Sequence, residues 1–152
     1  MSKGLDLVSE LKRYDKILRE SNLGFLSTIR KKDGLISTNP VGFVWDGESI
    51  RISTLKSRLK YENIAANPLA TFCVVSRHNM MSYLEVRGHA SLVEDPDRSF
   101  LRQCFMKGSG GEEPPPDMDA PGAERVIIVL HPQQLSSPQL YAGRFDRLAQ
   151  TE

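Results

Sequence analysis

Two Asp-Gly dipeptides, Asp33-Gly34 and Asp46-Gly47, each stand between short runs rich in β-branched and aromatic residues. Asp-Gly accepts the positive φ angles of tight turns, so this spacing commits the first third of the chain to antiparallel strands. Gly24 to Arg30 reads as a first strand, Leu35 to Trp45 as a second and Ser49 to Ser53 as a third, forming a meander. Pro40 falls inside the second run and has no N–H to give a ladder, which places that strand at an edge or at a bulge.

Leu7, Leu11, Tyr14 and Leu18 recur at helical spacing and predict an amphipathic helix over residues 5–20 that ends at Ser21-Asn22. Ser57 is placed to cap a short helix with Tyr61, Ile64 and Ala65 as its apolar stripe, stopped by Asn67-Pro68. Leu69 to Val75 is apolar on both faces and reads as a buried strand; Ser82 to Val93 reads as another. Asp95-Pro96 opens a helix running to about Met106, and Val126 to Leu130 is a last strand broken by His131-Pro132. About six strands and three helices joined mostly by short turns predict an α+β fold, an antiparallel barrel with flanking helices. At 152 residues the whole chain, 1–152, is expected to be one domain with a substantial core.

Charge bounds the partners. Twenty basic residues stand against 19 acidic ones, which lacks the excess expected of a nucleic-acid binder. No apolar run approaches the length of a membrane span, and the first residues lack the apolar stretch of a signal peptide, so neither a membrane nor export is expected. Cys73 and Cys104 form no Cys-x-x-Cys pair, and a reduced protein in the cytoplasm is the simplest account.

The near-neutral total hides two opposed segments. Arg51 to Lys60 carries four cations and no acid, while residues 111–119 carry four acids and no base. The basic segment, Arg51-Ile52-Ser53-Thr54-Leu55-Lys56-Ser57-Arg58-Leu59-Lys60, lies where a strand ends and a helix begins. A phosphate placed there would meet hydroxyls, free helix N–H groups, a guanidinium that can grip two oxygens and lysine point charges. The alternative on residues alone is a solvated basic face.

Several further runs fall into an order. Gly24-Phe25-Leu26-Ser27-Thr28-Ile29, Asp33-Gly34, Asn39-Pro40-Val41-Gly42-Phe43 and Asp46-Gly47 are followed by Ile52-Ser53-Thr54, Arg58-x-Lys60-x-x-Asn63-Ile64 and Asn67-Pro68. Tyr83-Leu84-Glu85-Val86-Arg87-Gly88-His89-Ala90 and Asp95-Pro96 complete the set. Over about residues 22–132 this resembles the pyridoxamine 5'-phosphate oxidase-like split-barrel family, and within it the flavin/deazaflavin oxidoreductase branch. The resemblance implies a split β-barrel and a homodimer with shared active sites. It also implies a cofactor that is either F-420 or FMN. It assigns the cofactor phosphate to Ser53, Thr54, Arg58 and Lys60, with Lys56 as a further cation. It places Asn39, Pro40 and Val41 along the ring and brings Tyr83 near it, from the second subunit. The expected activity is hydride transfer from F-420 to a small unsaturated acceptor; FMN, or a carrier or redox-sensing role without turnover, are the alternatives. F-420 is favoured here because Arg51 and Lys56 could serve its polyglutamate tail. The tail Tyr141 to Arg147 does not match the basic, aromatic end of the pyridoxamine phosphate oxidases proper, which argues against vitamin B6 oxidation.

The remaining signals imply little chemistry. His78, His89 and His131 lack metal-ligand spacing, so no metal is expected. Cys73 reads as core, and Glu85 and Arg87 as an ion pair on one strand face. No catalytic side chain is named, because in hydride transfer the cofactor carries the reaction. Residues 107–122, with four glycines, four prolines and four acids, read as a mobile surface loop or a lid, with Lys107 its one cation.

Overall fold

The computed structural model describes residues 3–137. The helix expected over residues 5–20 is two helices, α1 (Lys3–Arg13) and α2 (Asp15–Glu20). The break falls at Tyr14, whose φ of −100° and ψ of 8° leave the helical region. Asp15 opens α2 and is held from two sides, accepting hydrogen bonds from Trp45 Nε1 at 2.9 Å and Arg19 Nε at 2.6 Å. Leu18 is fully buried, and Leu11, Tyr14 and Ile17 pack against the core around it.

The strands are β1 (Leu23–Ile29), β2 (Ile36–Gly42), β3 (Val44–Trp45), β4 (Ile50–Leu55), β5 (Leu69–Val75), β6 (Tyr83–Glu94) and β7 (Arg125–Ser136). The glycines of both Asp-Gly turns take positive φ, 73° at Gly34 and 97° at Gly47. The second expected strand is cut at Phe43, and this cut determines the architecture. The sheet order is β2-β1-β5-β6-β7-β4-β3, so the chain passes from one edge strand to the other through one residue. Two successive Cα–Cα steps reach about 7 Å at most, so the two edges must meet there. The sheet therefore curls into a barrel that is pinned at Phe43 and stays unpaired along the β2–β4 seam. This is a split barrel, and the expected three-strand meander is not formed: β4 pairs with β3 and β7, not with β2. Phe43 is 1% exposed and meets Phe72 edge-on, with ring centroids 4.8 Å apart. Pro40 lies in edge strand β2, where no neighbour asks for its missing N–H.

The inward residues Leu26, Phe72, Val74, Leu84, Val86, Ile50, Ile52, Ile128 and Leu130 fill the barrel. His131-Pro132 does not end β7. A register shift lies opposite, between Arg87 and Gly88, and Pro132 faces Gly88 at that irregularity. A Cβ on Gly88 would lie 1.9 Å from the His131 carbonyl oxygen, so the crossing requires glycine. β5 is buried on one face only: Leu69 is 47% and Val75 38% exposed, whereas Ala70, Phe72 and Val74 point inward.

Two further helices complete the fold, α3 (Leu59–Ala66) and α4 (Ser99–Ser109). The N-cap of α3 is Arg58, not Ser57, and no side chain caps it; the buried residues are Asn63 and Ile64, while Ala65 is exposed. α4 starts later than Pro96 because Arg98 turns the chain through a left-handed conformation, φ 59°. Asp95, 3% exposed, then accepts the N–H groups of Phe100 at 3.2 Å and Leu101 at 3.0 Å. Phe100 packs with Ile127 and Val129, with Cys104 and Val44 beside them, so α4 covers the outside of the barrel next to β4.

Candidate functional site

The strand-to-helix turn after β4 is built by alternation. Ile50, Ile52 and Thr54 point into the barrel, and Arg51, Ser53 and Leu55 point out. Ser53 and Thr54 therefore face opposite sides of the sheet. Thr54 is 4% exposed within the barrel wall, whereas Ser53 Oγ accepts a hydrogen bond from Arg125 Nη1 at 3.4 Å. The turn closes as Arg58 N–H donates to the Leu55 carbonyl, and Tyr61 N–H returns to the Arg58 carbonyl. The first N–H groups of α3 have no partner within the helix, which gives this end a partial positive charge.

The four cations of the basic segment divide into two kinds. Arg51 is bound to Asp46, Nε to Oδ2 at 2.7 Å. Lys56 is held between Glu94 at 2.8 Å and Glu124 at 3.4 Å, and the Glu94 hydrogen bond first of all raises its pKa. Arg58 and Lys60, by contrast, form no ion pair with a described residue, although Asp119, whose pKa the Arg125 hydrogen bond lowers first of all, also feels the charge of Arg58. Lys60 is half-buried, and desolvation, then the charge of Arg58, lowers its pKa. An ammonium half out of water beside a guanidinium, itself in no ion pair, is an arrangement an anion relieves. The hollow beside the turn is lined by Lys31, Lys56, Ser57, Arg58, Tyr61 and Glu62, the last paired with Lys31 at 3.6 Å, and an adjoining hollow brings in Lys32, Leu59 and Ser37 of β2.

α3 is held in place by Asn63, which had appeared in the sequence only as part of a motif. Its Nδ2 donates to Thr28 Oγ1 at 3.1 Å and its Oδ1 accepts Lys31 N–H at 3.1 Å, locking the helix onto the end of β1. Across the seam lie Asn39, Pro40 and Val41 on β2, facing Leu26, Phe25 and Gly24 of β1. Asn39 is half-buried and Val41 buried on the barrel side, while Pro40 points out. The structure thus brings Asn39 and Val41 to one side of the seam and the basic turn to the other.

It does not bring Tyr83 to them. Tyr83 begins β6 opposite Val75, whereas Ser53 pairs with Ile127 and Ile127 with Val93. Tyr83 and Val93 are ten residues apart on one strand, about 30 Å within a single chain.

The acidic loop is anchored rather than loose. Asp119 accepts from Arg125, Nε at 2.7 Å and Nη2 at 2.5 Å, and Arg98 Nη1 approaches it at 3.7 Å. The Arg125 hydrogen bond first of all lowers the Asp119 pKa. Arg102 holds Glu113 in a two-point ion pair. Lys107 belongs to α4: its Nζ donates to the Ser21 and Phe43 carbonyls, both at 2.9 Å, and lies 4.6 Å above the Phe43 ring. It pins the closure of the barrel and is not a cation of the loop. No local pattern distinguishes Asp119 from the other acids of its segment, so only the fold reveals its role.

The other set-aside residues fall where their chemistry allows. Glu85 and Arg87 pair at 2.9 Å. His89 faces His131 across β6 and β7, and His131 Nε2 meets Ser91 Oγ at 3.0 Å. Cys73 is half-buried on the outer face of β5, not in the core, because it alternates with the inward Phe72 and Val74. Tyr141 to Arg147, whose sequence departs from the pyridoxamine phosphate oxidases proper, lie outside the described residues. No described helix is long and apolar enough to cross a membrane.

The family profile for pyridoxamine 5'-phosphate oxidase matches residues 11–137. The chain belongs to this family. Its fold binds flavins, and its members include oxidoreductases. Among solved structures, one named an F420 reductase is 37% identical, with a TM-score of 0.71 over 81% of this chain and 95% of that one. The general stress protein 26 of Bacillus anthracis is 22% identical, TM-score 0.63, over 84% of this chain and 92% of its own. A heme binding protein from Mycobacterium smegmatis is 17% identical, TM-score 0.61, over 90% of this chain and 55% of its own. These last two establish the shared fold alone. No curated protein matches the chain.

Proposed function

We propose that the protein is an F-420-dependent reductase that holds the cofactor phosphate at the α3 turn. The observation that carries the reading is the pair Arg58 and Lys60, two neighbouring cations that form no ion pair with a described residue at an uncapped helix start. The 37% identity to an F420 reductase supports the deazaflavin. The earlier case from surplus cations falls away, because Arg51 and Lys56 already have carboxylate partners. FMN offers the same phosphate to the same turn and is therefore tested beside F-420. A carrier or sensor without turnover is the remaining reading of the site.

In this reading Arg58 donates two parallel hydrogen bonds to phosphate oxygens, Lys60 supplies a desolvated charge, and the first α3 N–H groups complete the cradle. Asn39, Pro40 and Val41 line the ring along the seam, Ser53, Thr54 and Lys56 shape the turn, and Tyr83 enters from the second subunit. When bound, the cofactor supplies the hydride, delivered to a small unsaturated acceptor. The chain's own part is to bind, orient and exclude water.

A homodimer follows from the same reading. Leu23, Phe25, Leu69 and Val75 are 54%, 43%, 47% and 38% exposed on the outer face of β1 and β5, an apolar surface that a second copy would cover. We place the protein in the cytoplasm as a single domain acting on small molecules. Titration of the purified protein with F-420 and with FMN, followed by absorbance and by turnover of an enone or quinone, tests the reading. Tight F-420 binding with turnover supports it. FMN binding alone, or F-420 binding without reduction of any acceptor, replaces it with one of the alternatives.

A further inference from the structure

Within one chain a second basic hollow lies far from the α3 turn, between the α1–α2 break and the turn joining β5 to β6. Arg13, Lys16, Arg77 and His78 line it, with Glu20 as the one carboxylate. Glu20 stands 3.9 Å from His78 Nε2. Arg13, Lys16 and Arg77 form no ion pair with any described residue; the Arg13 guanidinium lies 5.7 Å over the Tyr14 ring. Three full positive charges thus converge on a hollow holding one acid.

An independent observation marks the same place. Ser21 lines the hollow, is 4% exposed, and its Oγ is the one buried side-chain oxygen or nitrogen without a partner among the described residues. The Ser21 backbone is fully used: its N–H donates to the Ile17 carbonyl and its own carbonyl accepts Lys107 Nζ. A buried hydroxyl left alone is unfavourable, and native structures rarely retain one. An oxygen anion entering the hollow would accept the guanidinium N–H groups of Arg77 and Arg13, and a turn of the Ser21 side chain about χ1, which brings its enclosed Oγ to the hollow, would add the O–H.

We propose that this hollow is a second anion site, which takes the phosphate or carboxylate group of a small molecule through Arg13, Arg77 and the Ser21 hydroxyl. Within one chain the site is separate from the α3 turn: it adjoins the Val75 and Tyr83 end of β5 and β6, at the opposite end of β6 from the Val93 that pairs with β7 beside Ser53. The inference does not depend on which cofactor the turn binds.

The test uses inorganic phosphate as probe and backbone amide NMR of the full chain as readout. Because phosphate would also visit the turn, the titration is run in the Arg58→Ala/Lys60→Ala protein. The expected result is saturable shifts confined to residues 13–21 and 76–82, in the low-millimolar range or tighter. Arg77→Gln weakens that binding at least tenfold, Ser21→Ala several-fold, and the distant Lys32→Gln leaves it unchanged. A dispersed spectrum elsewhere confirms that each variant is folded. Absence of saturable shifts in those two segments, or equal affinity in Arg77→Gln, Ser21→Ala and Lys32→Gln, overturns the site.

Discussion

Replacing Asp119 with asparagine should destabilise the protein far more than any other change in its loop. The Asp119 side chain is 2% exposed and that of Arg125 9%, and they meet in a two-point hydrogen-bonded pair. Removing one member of such a pair leaves the other charge buried and uncompensated, at about 3–5 kcal/mol. Asparagine keeps one acceptor for the Arg125 fork, so Asp119→Asn should fall near the lower figure and Asp119→Ala near the upper. Arg98 sits 3.7 Å away but is 39% exposed, so Arg98→Ala should change stability by no more than about 1 kcal/mol. Against a total of about 5–15 kcal/mol for a domain, the Asp119 variants should lower the urea midpoint strongly and Arg98→Ala barely. Because folding lowers the Asp119 pKa, its contribution is present above the unfolded value of 3.8 and is lost as pH falls through the folded one. Urea titrations of wild type, Asp119→Asn, Asp119→Ala and Arg98→Ala at neutral pH decide the matter. An Asp119→Asn shift below about 1 kcal/mol would refute the claim that this pair is desolvated and anchors the loop.

Arg58→Ala and Lys60→Ala should each weaken cofactor binding by about 1.5–3 kcal/mol, one charge-assisted contact, while Lys12→Ala, on the exposed face of α1 and outside both hollows, leaves it unchanged; titration with F-420 and FMN reads this out. Gly88→Ala should fail to fold or lose most of its stability, since the new methyl would meet the His131 carbonyl at 1.9 Å; circular dichroism and expression in soluble form check it. Asp46, which accepts the Glu48 and Ser49 N–H groups, has its pKa lowered to about 2 from 3.8 despite the opposing effect of burial. Its stabilisation is therefore complete above pH 3.8 and fades as pH falls towards 2, so Asp46→Ala should be destabilised at neutral pH and the difference from wild type should shrink in acid.

The turns and strands were legible because their signals are local. Asp33-Gly34 and Asp46-Gly47 need positive φ, and Pro40 needs an edge, whatever surrounds them. Three features were not legible, each for a physical reason. The pairing of β4 with β7, Leu55 with Arg125 through to Ile50 with Leu130, joins residues far apart in the chain, and no local pattern records it. The bulge that lets β7 run through Pro132 depends on Gly88, on another strand. The break at Tyr14 follows from Asp15 being drawn to Trp45, again a distant partner. The same limit governed the site. The run of cations was visible, but which cations were committed to acids depended on Asp46, Glu94 and Glu124 arriving from elsewhere in the fold.

That division bears on how the turn can recognise an anion. A cation already paired loses one favourable contact for each it gains, so exchanging Glu94 for a phosphate oxygen at Lys56 changes little. An unpaired, half-buried ammonium such as Lys60 begins from a desolvated state, and any anion that reaches it adds a contact without breaking one. Binding strength at this turn should therefore concentrate in Arg58 and Lys60. The pairs at Arg51 and Lys56 instead fix the shape of the turn, tying it to the β3–β4 hairpin through Asp46 and to β6 and the acidic loop through Glu94 and Glu124. The acids that offset the net charge are thus part of what leaves two cations open at the right place.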